Sequence, residues 1–383
     1  MTHIIFWLIL FIIFYTYLGY IGISILLAKV FGKKPLTMDF FPEISIIISC
    51  YNEEKVIRQK IENTLSLEYP KEKLEIIIAS ESTDGTNSIV SEFKNRGVKL
   101  YAYDDRIGKT GLLYRTVPKA IGEIVVFSDA NALYKKDAII KIARNFYDNK
   151  VGAVVGCLII NNLEASSISK GEYTYKKYEM LLRESNGLLG RVLNADGSIF
   201  AIRKNLYMPI SPERGDDFEL IIRILINGYK SLFEPEAISY EEASVTSKTE
   251  HTRKVRMVSW FLKSSMLLLK EMLLKLRLDL MFQIISHKLL RWFSPYFFIA
   301  FFITNIMLLK DAPIYSFFLI IQIFFYLGGL MGFYISGVKK KKAPFLLGAI
   351  QYFIMFNYAF MIGVLKSFFL RKALMPNWEK VRQ

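Results

Sequence analysis

One short stretch combines two metal-ligand residue types, Asp129 and Asn131, with a strand that would present them. Four apolar residues, Ile124–Phe127, precede Ser128, and this run predicts a buried strand that ends in a polar turn. The C-terminal edge of such strands is where open α/β sheets bind ligands. Because only Ala130 separates the two oxygen-bearing side chains, they can share one hard cation such as Mg²⁺ or Mn²⁺. A strand-end turn capped by Asp and Asn is the alternative interpretation of this pattern alone.

Two adjacent carboxylates, Asp216 and Asp217, form the second candidate for chemistry. They follow Gly215 and open a predicted helix that runs to about Ile226. Like charges this close raise the pKa of the pair, which suits a general base. Acidic residues are also common at helix N-termini, where the macrodipole stabilises them, so the residues alone leave both interpretations open.

Strands that alternate with helices must position these groups. The predicted strands are Ile44–Ser49, Leu74–Ala79, Val98–Tyr103, Glu123–Phe127, Val151–Ile160 and Ile199–Arg203. This alternation predicts an α/β domain with a parallel sheet and right-handed crossovers. The polar loops after the strands then share one edge, which is a nucleotide-binding layout. The helix start Gly108-Lys109-Thr110 is not a P-loop, because the upstream glycine of that motif is missing.

The composition favours a membrane protein. The chain has 383 residues, is 52% hydrophobic and 15% aromatic, and carries a formal net charge of +15. Such a charge suits an anionic membrane surface, a nucleic acid or an acidic substrate. The apolar runs favour the membrane, and we expect no nucleic-acid partner. Cys50 and Cys157 lie in apolar strand-like segments and predict reduced core thiols, while three widely spaced histidines argue against a histidine-based zinc site.

Four uncharged segments are long enough for membrane helices, which need about 20 apolar residues. They are Met1–Ala28, Trp292–Leu309, Ala312–Val338 and Ala343–Leu365. The first lacks a basic n-region and predicts an uncleaved anchor rather than a signal peptide. Lys29, Lys33 and Lys34 follow it, and positive flanks mark the cytoplasmic side. The predicted units are an anchor (1–28), a cytoplasmic domain (29–260), interfacial amphipathic helices (261–291), membrane spans (292–365) and a basic tail (366–383).

The segment Met266–Phe282 predicts a helix that lies on the cytoplasmic leaflet. Its apolar stripe is formed by Leu269, Met272, Leu273, Leu276 and Leu280. Basic residues flank this stripe, as in helices that bind an anionic membrane surface. An amphipathic helix packed on its own domain is the alternative.

The last apolar segment, Ala343–Leu365, presents a conflict of topology. Lys339–Lys342 marks the cytoplasmic end of the preceding span. If the last segment also crosses, Lys366 and the basic tail lie outside, against the positive-inside rule. The segment is therefore predicted either to cross or to form a re-entrant or interfacial hairpin, and the hairpin agrees better with the charges.

Short motifs follow one another in a fixed order along residues 44–260. They are I-I-I-S-C-Y-N-E-E at 46–54, S-T-D-G-T at 82–86, G-K at 108–109, F-S-D-A-N-A at 127–132, G-D-D-F-E-L at 215–220, E-P-E-A at 234–237 and R-K-V-R at 253–256. No single motif is specific, but the ordered set resembles the membrane-bound family 2 glycosyltransferases, which include cellulose and hyaluronan synthases and related exopolysaccharide glycosyltransferases. The resemblance implies a GT-A (nucleotide-diphospho-sugar transferase) fold with N-terminal and C-terminal transmembrane helices. It also implies that a tryptophan after the last span, here Trp378, lies near the active site if that span is re-entrant.

The resemblance assigns roles to the two candidate groups. It implies that Asp129 and Asn131 hold a divalent cation, Mg²⁺ or Mn²⁺, and the edge of the donor sugar and ribose. Such a cation offsets the charge that builds on the diphosphate leaving group. The family usually has a carboxylate where this chain has Asn131, whose amide oxygen is a neutral and weaker ligand. Asp217, with Asp216 beside it, would take the proton of the acceptor hydroxyl in an inverting transfer.

The first two strand-end loops are implied to bind the donor nucleotide. Tyr51, Asn52 and Glu53 stand where the family lines the pocket for the base and ribose. The acid that contacts the nucleobase after the second strand falls at Ser80 or Glu81 in this sequence. This departure leaves the identity of the nucleobase open.

Three further residues complete the implied donor site. Lys109 can meet a diphosphate oxygen, although a solvated lysine at a helix start is the equal alternative. Asp196 is implied to contact a donor or acceptor sugar, with a turn aspartate as the alternative. Arg256 matches the arginine of the family motif Q-x-x-R-W, in which this chain has Arg253 and Met257 at the glutamine and tryptophan positions. Arg256 can still bind the diphosphate, but the altered motif leaves processive synthesis open.

These features predict a membrane-anchored inverting glycosyltransferase. It would move a sugar from a nucleotide-diphosphate donor, with a UDP-sugar favoured over a GDP-sugar, to a membrane-associated glycan or polyprenyl-linked acceptor in cell-surface or extracellular polysaccharide synthesis. We expect an integral protein of the cell membrane whose catalytic domain faces the cytoplasm. Two alternatives stay open: a polyprenyl-phosphate sugar transferase, and a non-catalytic membrane subunit that retains the fold.

Overall fold

The computed structural model describes residues 1–161, 167–211, 214–242, 247–339, 341 and 343–369. Eight strands form one mixed sheet within these ranges. The strands are β1 (Ile44–Cys50), β2 (Leu74–Ser80), β3 (Val98–Ala102), β4 (Ile124–Asp129), β5 (Leu133–Tyr134), β6 (Val151–Asn161), β7 (Phe200–Arg203) and β8 (Lys230–Glu242). The helices are α1 (Thr2–Phe31), α2 (Ile57–Leu65), α3 (Thr86–Ser91), α4 (Gly108–Thr116), α5 (Ala138–Ala143), α6 (Ser167–Leu188), α7 (Asp216–Ile226), α8 (Ser247–Leu274), α9 (Leu278–Met307), α10 (Pro313–Val338) and α11 (Phe345–Phe369).

The sheet has the strand order β3-β2-β1-β4-β7-β6-β8-β5. The first four strands are parallel, as the sequence predicts, and β6 is parallel to β8. The prediction of an all-parallel sheet is wrong for the remainder, because β7 runs antiparallel between β4 and β6 and β5 runs antiparallel to β8. An antiparallel strand begins at the edge where its parallel neighbour ends. The loop before β7 therefore lies beside Asp129 at the end of β4.

The central strands are apolar because both of their faces are covered. Every residue of Ile44–Cys50 is buried, as expected for a parallel strand between helical layers. One core fills the face that carries α2 and α5. The other core joins Phe127 of the sheet to Phe218 of α7, Trp292 of α9 and Phe360 of α11. The apolar helices are therefore packed on the same core as the sheet.

Four helices are long and apolar enough to cross a membrane: α1, α9, α10 and α11. These agree with the four predicted spans, and α1 packs on α9, with the rings of Phe6 and Phe301 stacked 4.8 Å apart. The span predicted from Trp292 starts earlier, at Leu278. Lys288 and Arg291 lie within this helix and do not end it, because both are buried and both contact Glu179 of α6.

The prediction of one helix over Met266–Phe282 is wrong. Helix α8 ends at Leu274, Leu276 adopts a left-handed backbone with φ of 54°, and α9 begins at Leu278. The predicted stripe is divided accordingly: Met272 and Leu280 are buried in the protein, while Leu273 and Leu276 are exposed.

The last apolar segment is one unbroken helix, Phe345–Phe369, and not a hairpin. Its first half packs on the end of α10, where Gly332 approaches Leu347 and Gln351. Its second half packs on α8, where Gly363 lies against Val258. The rest of the predicted basic tail, residues 370–383 with Trp378, lies outside the described residues.

Candidate active site

A cavity of about 540 Å³ lies at the edge of the sheet where β1 and β4 end. It brings together most of the residues that the sequence singles out. Lining it are Tyr51, Asn52, Glu53, Lys109, Asp129, Asn131, Asp196, Asp216, Asp217 and Arg256. The cavity extends beyond them to Trp260 on α8 and Lys288, Arg291 and Trp292 on α9. It therefore reaches from the strand-end loops to the first apolar helix after the α/β domain.

Asp129 and Lys109 form an ion pair within the cavity. Lys109 Nζ donates to Asp129 Oδ1 at 2.7 Å. Burial by itself lowers the pKa of Lys109, but the carboxylates of Asp129 and then Asp216 outweigh it and raise that pKa above its usual value. A Cβ atom at Gly197 would lie 2.8 Å from Lys109 Nζ and 2.9 Å from Asp129 Oδ2, so the loop before β7 approaches this pair as closely as only glycine allows.

The turn after β4 is fixed from behind by helix α2. The buried Lys60 donates a hydrogen bond to the Ala132 carbonyl, and its Nζ lies 3.7 Å from the centre of the Tyr134 ring. Asn63 pairs with the backbone of Tyr134 in both directions, at 2.7 and 2.8 Å. These contacts fix the backbone that carries Asp129.

Asp129 and Asn131 fit a hard cation by residue type. Asn131 lines the cavity, and its buried Nδ2 atom has no hydrogen-bond partner in the described part of the chain. Across that part, no group of three or more His, Cys, Asp or Glu side chains is arranged to hold a metal. A cation here would therefore take one carboxylate and one amide oxygen and complete its shell with phosphate and water, as Mg²⁺ commonly does.

Asp216 and Asp217 open helix α7 and also line the cavity. Burial, and then the neighbouring charge of Asp216, raises the pKa of the Asp217 carboxyl well above its ordinary value. Asp216 Oδ2 is buried without a hydrogen-bond partner among the described residues. The Asp217 carbonyl accepts a hydrogen bond from the Ala195 amide at 3.1 Å, which ties this helix start to the loop before β7.

A second group of ion pairs lines the cavity beside α6. Arg183 donates to both oxygens of Asp196, at 2.5 and 2.9 Å, so Asp196 is held by α6. One turn earlier on α6, Glu179 accepts a hydrogen bond from Arg291 and lies 3.6 Å from Lys288 Nζ. Burial opposes ionisation of Glu179, but the cations of Lys288 and Arg291 hold its pKa well below the usual value.

Helix α8 adds a basic wall formed by Arg253, Lys254 and Arg256. The guanidinium of Arg256 lies 5.3 Å from the centre of the Trp260 ring. Burial, and then the charge of Arg253, lowers the pKa of Arg256, while Asp129 acts in the opposite direction. The described geometry thus places Arg256 within electrostatic reach of the Asp129 turn.

The loop after β1 is held in an unusual backbone conformation. Asn52 has a φ of 55°, and its side-chain oxygen accepts a hydrogen bond from the Thr83 amide at 2.8 Å. Asparagine tolerates this left-handed region better than most residues. Beside it, Tyr51 lies under the guanidinium of Arg106, which is 4.1 Å from the ring centre. These contacts fix the loop that brings Tyr51 to the cavity.

The structure does not bring Ser80 and Glu81 into the cavity. Ser80 is buried and donates to Ser82 Oγ at 2.9 Å. Glu81 Oε2 accepts hydrogen bonds from the amides of Ile107 and Gly108, at 2.7 and 2.9 Å. Glu81 thereby anchors the start of α4, which carries Lys109.

Sequence reasoning missed several cavity residues for one common reason. Glu179, Arg183, Lys288 and Arg291 lie on helices outside the strand-end loops in which candidates were sought. A signal existed for the last two, because charged residues at the start of an otherwise apolar span are a mark of function. For Lys60, which looks like an ordinary surface lysine of a helix, the sequence holds no such signal.

Comparison with known proteins supports the motif analysis. The family model described as glycosyltransferase like family 2 matches residues 42–261. A probable glycosyltransferase of Bacillus subtilis (strain 168) is 28% identical over 239 residues, which covers 57% of this chain and 55% of that protein. A poly-beta-1,6-N-acetyl-D-glucosamine synthase of Staphylococcus aureus (strain COL) is 26% identical over 217 residues, which covers 55% of this chain and 52% of that protein. The chain thus spans about half the length of these curated relatives.

One solved structure matches nearly the whole chain. It is a mannosyltransferase from Pyrobaculum calidifontis in complex with GDP-Man and Mn²⁺, with a TM-score of 0.72 and 18% sequence identity. The match covers 97% of this chain and 100% of that chain. At this identity the likeness concerns the fold alone, which is the expected GT-A-like fold with apolar helices on both sides of the α/β domain.

Proposed function

The chain belongs to the glycosyltransferase-like family 2 and is a glycosyltransferase, and from this premise we propose that its cavity performs an inverting sugar transfer. The donor is a nucleotide-diphosphate sugar, and the acceptor is a membrane-associated glycan or lipid-linked glycan. The observation that carries the proposal is one cavity in which Asp129, Lys109 and Asp217 come together. A diphosphate-binding group and a proton acceptor are the two parts that such a transfer needs.

Asp217 is the proposed general base. An acceptor hydroxyl must lose its proton as it attacks the anomeric carbon, and a carboxylate of raised pKa accepts that proton more readily than an ordinary aspartate. Burial and the adjacent Asp216 charge supply that raised pKa. Asp217 lines the same cavity as the Asp129 turn, so an acceptor bound beside Asp217 would lie close to a donor bound at that turn.

The diphosphate is proposed to lie between Lys109 and the basic wall of α8. Lys109 presents a point charge, and Arg256 presents a guanidinium that can bind phosphate oxygens in pairs. A divalent cation on Asp129 and Asn131 would supply further neutralisation of the leaving group when bound. Lys109 also pairs with Asp129, so the diphosphate would share or replace that carboxylate as the partner of Lys109.

The nucleotide is proposed to occupy the end of the cavity formed by Tyr51, Asn52 and Glu53. A UDP-sugar is favoured, since the staphylococcal relative is named as a synthase of a poly-N-acetylglucosamine. The fold neighbour was solved with GDP-Man, so both nucleobases belong in the test. The proposed role is synthesis of a cell-surface or extracellular polysaccharide.

The membrane setting is part of the proposal. The four apolar helices support an integral membrane protein. Lys29 lies in the last turn of α1, and Lys33 and Lys34 follow that helix directly. These positive charges favour a cytoplasmic position for the α/β domain by the positive-inside rule. Nucleotide sugars would then reach the cavity from the cytoplasm.

The test is sugar transfer by washed membranes that contain the full chain. Labelled UDP- and GDP-sugars are offered with Mg²⁺ or Mn²⁺ to the parent protein, to Asp217→Asn and to Asp39→Asn, an exposed aspartate far from the cavity that serves as matched control. We expect label in a lipid or polymer fraction from one donor. This transfer should require the cation, be lost in Asp217→Asn and persist in Asp39→Asn.

Two outcomes contradict parts of the proposal. Near-normal transfer by Asp217→Asn would remove the assignment of the base. No transfer from any donor, with nucleotide binding intact and a lipid extract of the native host added, would favour a non-catalytic subunit that retains the fold.

A further inference from the structure

The cavity ends at a cationic group on the first apolar helix after the α/β domain. Lys288 and Arg291 of α9 both line the cavity, and both are buried, at 7% and 3% exposure. They face Glu179 of α6, which is itself 8% exposed. Ionisable residues inside an apolar span are costly and commonly mark the path of a substrate or ion.

Two basic side chains share one carboxylate in this group. Arg183 donates two hydrogen bonds to Asp196. Glu179 accepts a hydrogen bond from Arg291 and lies 3.6 Å from Lys288 Nζ. The two basic residues thus meet at Glu179 in a buried setting, where charged groups need partners.

Lys288 is the cation with capacity to bind a ligand. Its Nζ lies 3.6 Å from Glu179 Oε2, beyond hydrogen-bond distance, and no hydrogen bond from it to another described residue is present. An ammonium has three protons to donate, so Lys288 can bind an anion that enters the cavity without giving up an existing hydrogen bond. Lys288 also interacts electrostatically with Asp196, which in turn interacts with Asp217. The proposed anion site and the proposed catalytic carboxylates therefore belong to the same cavity.

Exposed apolar residues lie on the same helix as Lys288. They are Leu278, Phe282 and Ile285, in the turns of α9 that precede Lys288. Their spacing places them along one side of the helix. Leu274 and Leu276, where α8 ends before α9, are exposed as well. These residues offer apolar contacts to a hydrocarbon chain whose charged end would enter the cavity.

We propose that the α9 end of the cavity binds the phosphate of a lipid-linked acceptor, with Lys288 as the residue that binds the phosphate oxygen. The acceptor class is thereby a long-chain alcohol phosphate or diphosphate, alone or with a glycan attached, and not a neutral glycan. The inference rests on the proposed function for its biological meaning. Its test, however, is a binding measurement that requires no sugar transfer.

The probes are farnesyl phosphate, farnesyl diphosphate and farnesol, titrated into the full chain in a neutral detergent and followed by calorimetry. We expect both phosphorylated lipids to bind about tenfold or more tightly than farnesol, as one charge-assisted hydrogen bond allows. Lys288→Met should abolish this preference while leaving farnesol binding unchanged, and Lys288→Arg should retain most of it. Lys270→Met, which removes an exposed lysine of α8 instead, is the matched control and should bind like the parent.

Further arms separate the possible sources of the phosphate. Inorganic phosphate should bind weakly, and phosphatidylglycerol micelles should not compete with farnesyl phosphate. Equal binding of farnesol and farnesyl phosphate, an undiminished preference in Lys288→Met, or full competition by phosphatidylglycerol would each overturn the proposal. Nucleotide binding, measured on the same variants, reports the donor site separately. Failure of sugar transfer with an intact Lys288-dependent preference would count against the proposed function and not against this site.

Discussion

Lys60 Nζ lies 3.7 Å from the centre of the Tyr134 ring, in the fully buried space behind the Asp129 turn. The same ammonium donates to the Ala132 carbonyl. Among the described residues no carboxylate forms an ion pair with this lysine, which is unusual because charged groups inside proteins are normally paired. The aromatic face and the carbonyl replace such a partner here. Lys60 therefore positions the turn that carries Asp129 and Asn131 without touching the cavity.

The environment of Lys60 predicts a pH dependence of stability. Burial lowers the pKa of Lys60 in the folded chain to about 7, from its usual value of 10.5. Between these two pH values Lys60 is protonated in the unfolded chain and neutral in the folded chain. The contribution of this residue to the free energy of unfolding therefore rises by about 1.4 kcal/mol per pH unit. Below the lower value both states are protonated and the dependence vanishes.

The measurement is the thermal midpoint of the full chain in detergent, followed by tryptophan fluorescence at about pH 7 and about pH 9. We expect the parent protein to gain stability relative to Lys60→Met as the pH rises. Lys94→Met, which removes an exposed lysine, should follow the parent. A constant difference between the parent and Lys60→Met across this range would show that Lys60 does not titrate as stated.

Asp216 and Asp217 predict a pH dependence of a different kind, in the rate of transfer. A general base works unprotonated, so the rate falls as the pH drops through its pKa. Burial raises the pKa of Asp217 first, and the charge of Asp216 raises it further. Asp216→Asn should therefore shift the acidic limb of kcat/KM toward lower pH by about one unit. The pH profile at saturating cation measures the shift, and an unmoved limb in an active variant would contradict the coupling.

The close approach of Gly197 predicts a specific loss of donor binding. A Cβ there would lie under 3.0 Å from both Lys109 Nζ and Asp129 Oδ2, so Gly197→Ala must displace one of the two side chains. We expect nucleotide affinity in the presence of Mn²⁺ to fall about tenfold, with little change in thermal stability. Gly22→Ala is the control, because a Cβ at Gly22 meets nothing within 4 Å. Calorimetric titration with UDP and GDP measures this affinity. Unchanged affinity in Gly197→Ala would mean that the pair of Lys109 and Asp129 is not part of the donor site.

Asn131 predicts that the cation site can be strengthened. Replacement of the amide by a carboxylate adds a charged oxygen ligand, and charge count is a main determinant of affinity for hard cations. Asn131→Asp should bind Mn²⁺ more tightly by about tenfold, and Asn131→Ala more weakly. Electron paramagnetic resonance of free Mn²⁺ measures this directly and does not depend on turnover. Equal Mn²⁺ binding by all three proteins would place the cation elsewhere.

The strand-end part of the site was readable from the sequence. An apolar run followed by a polar turn identifies both a strand and its ligand edge, and this pattern indicates Asp129 and Asn131. The family resemblance adds Tyr51. The antiparallel insertion of β7 was not readable, because a short strand such as Phe200–Arg203 has the same pattern in either direction. That insertion brings Gly197 against Asp129. The sequence motifs indicate Asp196 in this turn, but they do not indicate that the turn lies against Asp129.

The helical part of the site was less accessible from the sequence. Lys288 and Arg291 interrupt an apolar run, and a rule based on uncharged length therefore began the span at Trp292 rather than at Leu278. Their burial against Glu179 is a tertiary contact between residues more than a hundred positions apart. Periodicity within one helix carries no information about such a contact. Glu81 is the opposite case: its position in the sequence suggested the nucleobase, and its hydrogen bonds lead to the backbone of Ile107 and Gly108.

The final helix predicts where the basic end of the chain lies. Lys366, near the end of α11, is close enough to His251 of α8 that burial and then the Lys366 charge lower the pKa of that histidine. Tyr358 stacks on the same histidine, with ring centres 5.4 Å apart. The second half of α11 is thus attached to a helix of the α/β domain. Lys366 should therefore lie on the same side of the membrane as that domain, in agreement with the positive-inside rule.

Cysteine labelling tests this position, because the two native cysteines, Cys50 and Cys157, are buried. Single replacements Lys366→Cys, Lys94→Cys and Lys310→Cys place an exposed thiol at the end of α11, on the α/β domain and between α9 and α10. The reagent is a membrane-impermeant maleimide, added to sealed vesicles of known orientation. Lys366→Cys should be labelled from the same face of the membrane as Lys94→Cys. Lys310→Cys should react only from the opposite face. If Lys366→Cys is instead labelled from the same face as Lys310→Cys, then α11 crosses the bilayer completely. Its contacts with α8 must in that case form at the far end of a steeply tilted helix.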